Sequence, residues 1–371
     1  MANPLDSEPK SDDLSGQNGR IKNGQNFKHP MNENLAFKLD QNPEYTVIIT
    51  GAAGFIGSVL SGWLAAHTNY KLILVDDFSS QEKLARVQVR SQATYIDRAE
   101  FQDWFSSNPN ADILFHLGAR TDTLEQDKAI FDLLNLNYSK AIWNICAKAN
   151  IPMIYASSAA TYGAGDQGYQ DKHSTIRLLK PLNPYGDSKQ NFDCWVLDQI
   201  EKQPPFWAGL KFFNVYGPNE GHKSRMASVV LHAWKQIKAT GKMKLFKSHR
   251  DDIKHGEQQR DFVFVFDVVM VLCWLMGQAQ EASKFQNGIY NLGSGKANTF
   301  LDLVSAVFEA LELPSDISFI DTPEAIRAHY QYYTKAEMQK LIKAGFPDQF
   351  TSLSEGVKVY VQDYLEQNRY Y

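Results

Sequence analysis

The chain has 371 residues, 43% of them hydrophobic, with 38 Lys and Arg against 42 Asp and Glu for a formal net charge of -4. That length can bury a sizeable core in one large or two modest domains, and the mixed charge excludes the basic footprint of a nucleic-acid binder. No apolar run approaches the ~20 residues of a membrane helix, and Cys146, Cys194 and Cys273 lie too far apart in sequence to suggest a disulfide framework or a metal site.

Residues 1–34 are rich in Asn, Gly, Ser, Asp and Lys and poor in aliphatics, so a flexible extension is expected over 1–44. Its first residues lack the basic-then-apolar layout of a secretory leader, and a cytoplasmic location is the expectation. The fold begins at Tyr45, where an apolar run through Ile49 predicts a strand. Thr50-Gly51-Ala52-Ala53-Gly54-Phe55-Ile56-Gly57 follows, and then a helix over 55–67. This is the first βα unit of a dinucleotide-binding domain. Gly51 permits the turn, Gly54 admits a pyrophosphate, and Gly57 lets the helix pack closely on the strand. The helix N-terminus offers N–H groups and partial positive charge to phosphate. A strand over 71–76 then ends in Asp76 and Asp77, acids placed to bind an adenosine ribose.

Further strands are predicted at 93–96, 112–116, 152–157 and 209–214, with helices at 128–149 and 185–203. The alternation implies an α/β, Rossmann-type doubly wound parallel sheet covered on both faces. Its site is expected beyond the carboxyl ends of the strands. Motifs stand at those ends: His116-Leu117-Gly118-Ala119-Arg120-Thr121, Ser157-Ser158, and Asn214-Val215-Tyr216-Gly217-Pro218. Beyond about residue 215 the pattern loosens to a helix near 224–240, a charged loop at 247–260 and helical stretches at 266–280, 300–311 and 334–345. The expected organisation is a Rossmann domain over 45–215 and a smaller mixed α/β substrate-binding lobe over 216–371, with segments of the latter returning to the former.

Tyr185 and Lys189 stand four apart at the start of a helix, so their side chains share a face. An ammonium beside a phenol favours the phenolate, so Tyr185 is expected to exchange a proton with a substrate hydroxyl while Ser158 bonds the same oxygen.

These motifs resemble the extended short-chain dehydrogenase/reductase superfamily of nucleotide-sugar enzymes from about residue 45 to the C-terminus. Within it the chain is most similar to the ADP-L-glycero-D-manno-heptose 6-epimerases. The segments that carry the likeness are Ala156-Ser157-Ser158-Ala159-Ala160-Thr161-Tyr162-Gly163, Lys180-Pro181-Leu182-Asn183-Pro184-Tyr185-Gly186 and Phe213-Asn214-Val215-Tyr216-Gly217-Pro218. Glu220-Gly221-His222-Lys223 with Met226-Ala227-Ser228 is a narrower signature than these.

The resemblance implies that Tyr185 and Lys223 are a pair of acid/bases, one for each epimer. It also implies an NADP cofactor, with NAD possible, held by Gly51, Gly54, Phe55, Ile56, Gly57, Asp76, Asp77, Lys83, Leu117, Gly118, Ala119, Arg120, Thr121, Asn135 and Lys189. For the ADP-heptose substrate it implies Ser158, Asn214, Val215, Arg225, His232, Phe246, Lys247, Ser248, Arg260 and Tyr330. The family carries Asn at the position of Asp77, a small serine at that of Arg225 and a small residue at that of Arg120, and the loop 248–259 is long for it. A homo-oligomer feeding lipopolysaccharide core synthesis is implied as well. A 4-epimerase would keep Tyr185, Lys189 and Ser158 without needing Lys223. A 4,6-dehydratase is disfavoured by Ala159 and Ala160, and a silent cofactor sensor by the intact Tyr/Lys pair.

Overall fold

The computed structural model describes residue 39 and residues 41–371, other than 88–92, 282–284, 328–329 and 348. The extension expected over 1–44 therefore lies almost wholly outside the described residues. The strands are β1 (Thr46–Thr50), β2 (Lys71–Asp76), β3 (Ala93–Asp97), β4 (Ile113–His116), β5 (Met153–Ser158), β6 (Trp207–Phe212), β7 (Asn214–Tyr216), β8 (Met243–Phe246), β9 (Gln259–Phe264), β10 (Gly288–Leu292), β11 (Ala297–Thr299) and β12 (Ile317–Ile320). Seven form one parallel sheet in the order β10-β6-β5-β4-β1-β2-β3. The winding reverses between β1 and β4, which opens a crevice at their carboxyl ends, the place where such sheets bind ligands.

Alternate residues of the central strands serve opposite faces. Val47, Ile49, Leu72, Leu74, Ile113 and Phe115 pack with the helices Phe55–His67 and Val265–Gln280. Ile48, Val75 and Leu114 pack with Phe101 and Phe105 of Arg98–Ser107, Trp143 of Tyr138–Ala149 and Phe192 of Pro184–Asp198. Helix Val265–Gln280 is buried continuously from Val265 to Gly277, so it is enclosed rather than laid on a surface. No helix among the described residues is long and apolar enough to cross a membrane.

Several expected elements are revised. The strand predicted over 209–214 divides at Phe213, whose N–H bonds the Leu292 carbonyl of β10, while Asn214 pairs with Phe262 in a second sheet, β11-β9-β7. The helix predicted over 185–203 closes at Asp198. The helix predicted near 224–240 starts only at Val229, capped by Ser228, because a short 3-10 segment, Gly221–Met226, precedes it with Ser224 at φ +48°. The stretch 334–345 is helical only over Gln339–Lys343. The charged loop ends at Gln258, since Gln259 and Arg260 open β9.

Candidate active site

The crevice between β1 and β4 is shaped by missing side chains. Gly51 has φ +70°, and a Cβ there would stand 2.6 Å from the Cα of Gly118. A Cβ on Gly57 would fall on the Gly51 carbonyl oxygen. Gly54 caps the helix Phe55–His67 with no side-chain bond to its first amides, leaving them to an anion. The turn is held rigid from behind: the Ala53 N–H donates to Asp76 Oδ2 at 2.9 Å, and the Ala53 carbonyl accepts from Nε of the buried Arg86 at 2.9 Å. Asp76 also accepts from Lys83 Nζ at 3.0 Å, and Asp77 Oδ2 lies 3.8 Å from the same ammonium. A bare backbone cradle, free helix amides and an acid at the end of β2 fit a dinucleotide.

Across the crevice, Asn135 is aimed inward by a π-helical segment, Asp132–Asn137, set within the long helix expected over 128–149. One extra residue in such a turn re-aims the side chains around it, a recurrent device at functional sites. Asn135 is 2% exposed. Its Oδ1 accepts from the Arg120 N–H at 2.8 Å, and its Nδ2 donates to the Arg120 carbonyl and to Ser188 Oγ, both at 3.0 Å. It thereby ties the loop after β4 to the helix that carries Tyr185. His116 stands behind it, between Thr50 Oγ1 at 2.7 Å and Ser139 Oγ at 2.8 Å. Burial pushes its imidazole down to about 3, so it is a neutral structural link.

Tyr185 hydrogen-bonds Ser158, which ends β5 and accepts from the Ala160 N–H at 3.1 Å. The expected effect of Lys189 on the phenol is not found. Burial raises the Tyr185 phenol, opposed only by the Ser158 bond, because the Lys189 ammonium is turned onto the Ala156 carbonyl at 2.8 Å. Lys189 is itself buried, which brings it down to about 8 against the pull of Asp193.

Sequence reasoning missed what lies beneath. Asp193 and Lys211 are both wholly buried and paired at 2.6 Å. Asp193 also accepts from Ser157 Oγ at 2.6 Å and Tyr155 OH at 3.0 Å, and Lys211 donates to Thr161 Oγ1 at 2.7 Å. Thr161 in turn donates to the Ser158 carbonyl at 2.7 Å. The register sets Ser157 opposite Lys211. The signal was available: Lys211 is the lone charge in the apolar run Trp207-Ala208-Gly209-Leu210-Lys211-Phe212.

Lys223 lies half-buried on the Gly221–Met226 segment, its Nζ 5.5 Å from the centre of the Phe55 ring. Burial lowers it and Glu220 raises it. Arg225 reaches across to Asp122, donating at 2.9 Å, and Arg120 approaches the same carboxylate at 3.9 Å. The two arginines that depart from the expected pattern therefore share one acid. His232 is engaged with the backbone of Arg225 and Ala227. Asn214 is exposed and Val215 half-buried at the start of β7.

Farther out, the Arg260 guanidinium is set against the rings of Phe300 and Tyr330, at 5.6 and 5.5 Å, and donates to the Gln259 and Gln331 carbonyls. Phe246 ends β8, Lys247 pairs with Asp321 at 3.1 Å, and Ser248 lines a cleft of about 420 Å³ with His249, Arg250 and His255. No group of three His, Cys, Asp or Glu among the described residues is placed to hold a metal.

Residues 47–293 match the NAD dependent epimerase/dehydratase family. An ADP-L-glycero-D-manno-heptose-6-epimerase of Fusobacterium nucleatum is 42% identical over 330 residues, covering 86% of this chain and 98% of its own. The crystal structure of the Helicobacter pylori ADP-L-glycero-D-manno-heptose-6-epimerase superposes with a TM-score of 0.72 at 27% identity, over 87% of this chain and 97% of that one. A UDP-N-acetylglucosamine 4-epimerase of Methanobrevibacter ruminantium has a TM-score of 0.73 at 22% identity, over 87% and 99% of the two chains, and shares the fold. The glycine cradle between β1 and β4, the Ser158–Tyr185 bond and these matches place the chain in the NAD dependent epimerase/dehydratase family.

Proposed function

We propose that this chain inverts C6 of the heptose in ADP-D-glycero-β-D-manno-heptose to give the L-glycero epimer, a precursor of lipopolysaccharide core, with NADP as the resident cofactor and NAD as the alternative. The observation that carries the reading is a pair of proton-handling groups from different elements. Tyr185 is bonded to Ser158 at the end of β5, and Lys223 is partly desolvated over Phe55, at the start of the cofactor helix. The 42% identity to a protein named for this reaction supports the substrate.

Inversion through a planar ketone needs two such groups, because the oxygen lies in a different place in each epimer. A nicotinamide cofactor held by the Gly51–Gly57 turn, Asn135 and Lys189 would supply a reversible hydride acceptor, so that inversion leaves no net oxidation. Lys223 Nζ, as the amine that burial favours, accepts the hydroxyl proton of one epimer, and the Tyr185 phenol, kept protonated by burial, donates its proton to the ketone oxygen as the other forms. In the reverse direction the roles exchange. Burial lowers the lysine, which eases its loss and gain of a proton. Asn214, Arg260 and Tyr330 line the substrate side in this reading, and Arg260 presents a fork suited to a diphosphate.

The test is NMR of the ADP-linked D-glycero heptose incubated with purified protein and no added reductant, which is expected to show the L-glycero epimer accumulating. Tyr185→Phe and Lys223→Met are each expected to lower kcat by about 10²–10⁴-fold, and together to abolish turnover. Near-normal turnover in both single variants would overturn the two-base assignment, and inversion at C4 of a UDP-sugar by the Lys223→Met variant would favour a 4-epimerase.

A further inference from the structure

Tyr185, Lys189 and Asp193 stand four residues apart along the helix Pro184–Asp198 and share one face. The second and third of them fasten that helix to β5. Lys189 Nζ donates to the Ala156 carbonyl at 2.8 Å, and Asp193 accepts from Ser157 Oγ at 2.6 Å and from Tyr155 OH at 3.0 Å. The helix is therefore fixed to three successive residues of the strand, Tyr155, Ala156 and Ser157. The residue that follows them, and ends the strand, is Ser158.

Ser158 is held from the other side. Its Oγ accepts from the Ala160 N–H at 3.1 Å, and its carbonyl accepts from Thr161 Oγ1 at 2.7 Å, where the chain turns into the 3-10 segment Ala159–Tyr162. Thr161 Oγ1 in turn accepts from Lys211 Nζ at 2.7 Å, and the same ammonium donates to Asp193 Oδ2 at 2.6 Å. The bonds run without a gap from the tyrosine helix through Asp193 and Lys211 to Thr161 and Ser158. Thr161, like Asp193 and Lys211, is wholly buried.

Stability does not account for this arrangement. A buried ion pair gains little over apolar residues of the same volume, because desolvation offsets the attraction. What the pair supplies is direction, since each of its hydrogen bonds holds in one geometry only. An aliphatic side chain at position 211 would fill the same space and leave Thr161 unoriented.

We propose that Asp193, Lys211 and Thr161 are positioning residues, a buried strut that sets the Ser158 hydroxyl against the Tyr185 phenol so that both meet one substrate oxygen. The inference rests on the reading of Tyr185 as an acid/base with Ser158 beside it. The three act through Ser158 and through the helix. Thr161 fixes the peptide that follows Ser158, and with it the approach to the Ala160 N–H that Ser158 Oγ accepts. Ser158 and Tyr185 come from different elements, and a misplacement of about 1 Å between such groups costs as much as about 10²-fold in rate.

The test is the kinetics of epimerisation by the cofactor-loaded enzyme, with cofactor affinity measured beside it. Thr161→Val keeps the shape of the side chain and removes the hydroxyl. It is expected to lower kcat about 10–100-fold, with KM and cofactor affinity unchanged. Thr161→Ser keeps the hydroxyl and removes a buried methyl, so it is expected to melt at a lower temperature with the parental kcat. A merely structural threonine would lower the melting temperature in both variants and kcat in neither. A parental kcat in Thr161→Val, or an equal fall in Thr161→Ser, overturns the proposal.

Should Thr161→Val fail to fold, Thr161→Ala removes the same hydroxyl without a branched side chain. The same fall in kcat is expected there, and a parental value overturns the idea. Tyr185→Phe separates this inference from the reading beneath it. Parental turnover in Tyr185→Phe removes the acid/base role itself. An inactive Tyr185→Phe beside a fully active Thr161→Val removes only the role of the strut.

Discussion

At the scale of single residues, the buried Lys211–Asp193 pair sets the most demanding condition on this fold. Two wholly buried charges at 2.6 Å are worth little as a net interaction, because desolvation offsets their attraction. Removing one partner is another matter, since the survivor is left charged in an apolar interior. Lys211→Met is therefore expected to cost about 3–5 kcal/mol, read from the denaturant midpoint. Replacing both, as Lys211→Met with Asp193→Leu, is expected to recover part of that loss, although Ser157, Tyr155 and Thr161 lose their partners. The sequence showed Lys211 as an isolated charge in an apolar strand but did not show its partner, since Asp193 reads as an ordinary polar position of a helix. Only the pairing of β5 with β6, and the helix above them, brings the two together. Tyr185 and Ser158 were legible for the opposite reason: their motifs lie at the ends of elements whose order the sequence makes plain.

At the scale of elements, the first βα unit was read almost residue for residue, strand Thr46–Thr50 and helix Phe55–His67 with β2 at Lys71–Asp76. It is legible because local chemistry decides it: an apolar run, three glycines at fixed offsets, and a second apolar run. The β6–β7 break at Phe213 was not legible, because the chain changes partner there from β5 and β10 to β9. The π-helical segment at Asp132–Asn137 was also invisible, since one added residue in a helix barely disturbs the apolar period while it re-aims Asn135. The strands β8, β11 and β12 are three or four residues long, too short for alternation to register. The glycine cradle yields a sharp expectation. In Gly57→Ala the new methyl falls on the Gly51 carbonyl oxygen, so helix and turn must separate. Binding of the nicotinamide cofactor, followed by fluorescence or calorimetry, is expected to weaken by at least about 10-fold, equivalent to about 1.4 kcal/mol, while the far-UV circular dichroism stays that of the parent.

At the scale of the whole molecule, the candidate site is assembled from parts distant in sequence. The cradle comes from residues 51–57 and Gly118, the tyrosine from the helix Pro184–Asp198, and the lysine from a turn held by Tyr360 and Tyr371 near the C-terminus. A dinucleotide that touches β1, β2 and β4 at once binds only when these are assembled, so it stabilises the entire fold. At about 100 times its Kd that amounts to about 2.7 kcal/mol, visible as a rise in melting temperature. The choice between NADP and NAD turns on the end of β2. The acids Asp76 and Asp77 there would repel a 2′-phosphate, but Lys83 lies within 3.0 Å of the first and 3.8 Å of the second. Asp76 is also committed to the Ala53 N–H, so its charge is shared between the turn and the lysine. That leaves Lys83, 31% exposed, with donors to spare for a phosphate. NADP is accordingly expected to raise the melting temperature more than NAD at equal concentration. Lys83→Ala is expected to weaken NADP by about 10–100-fold, the loss of one charge-assisted bond, and to leave NAD nearly unchanged, because a ribose hydroxyl needs the acid rather than the ammonium. An equal loss for both cofactors would mean that Lys83 supports the turn through Asp76 and does not read the phosphate.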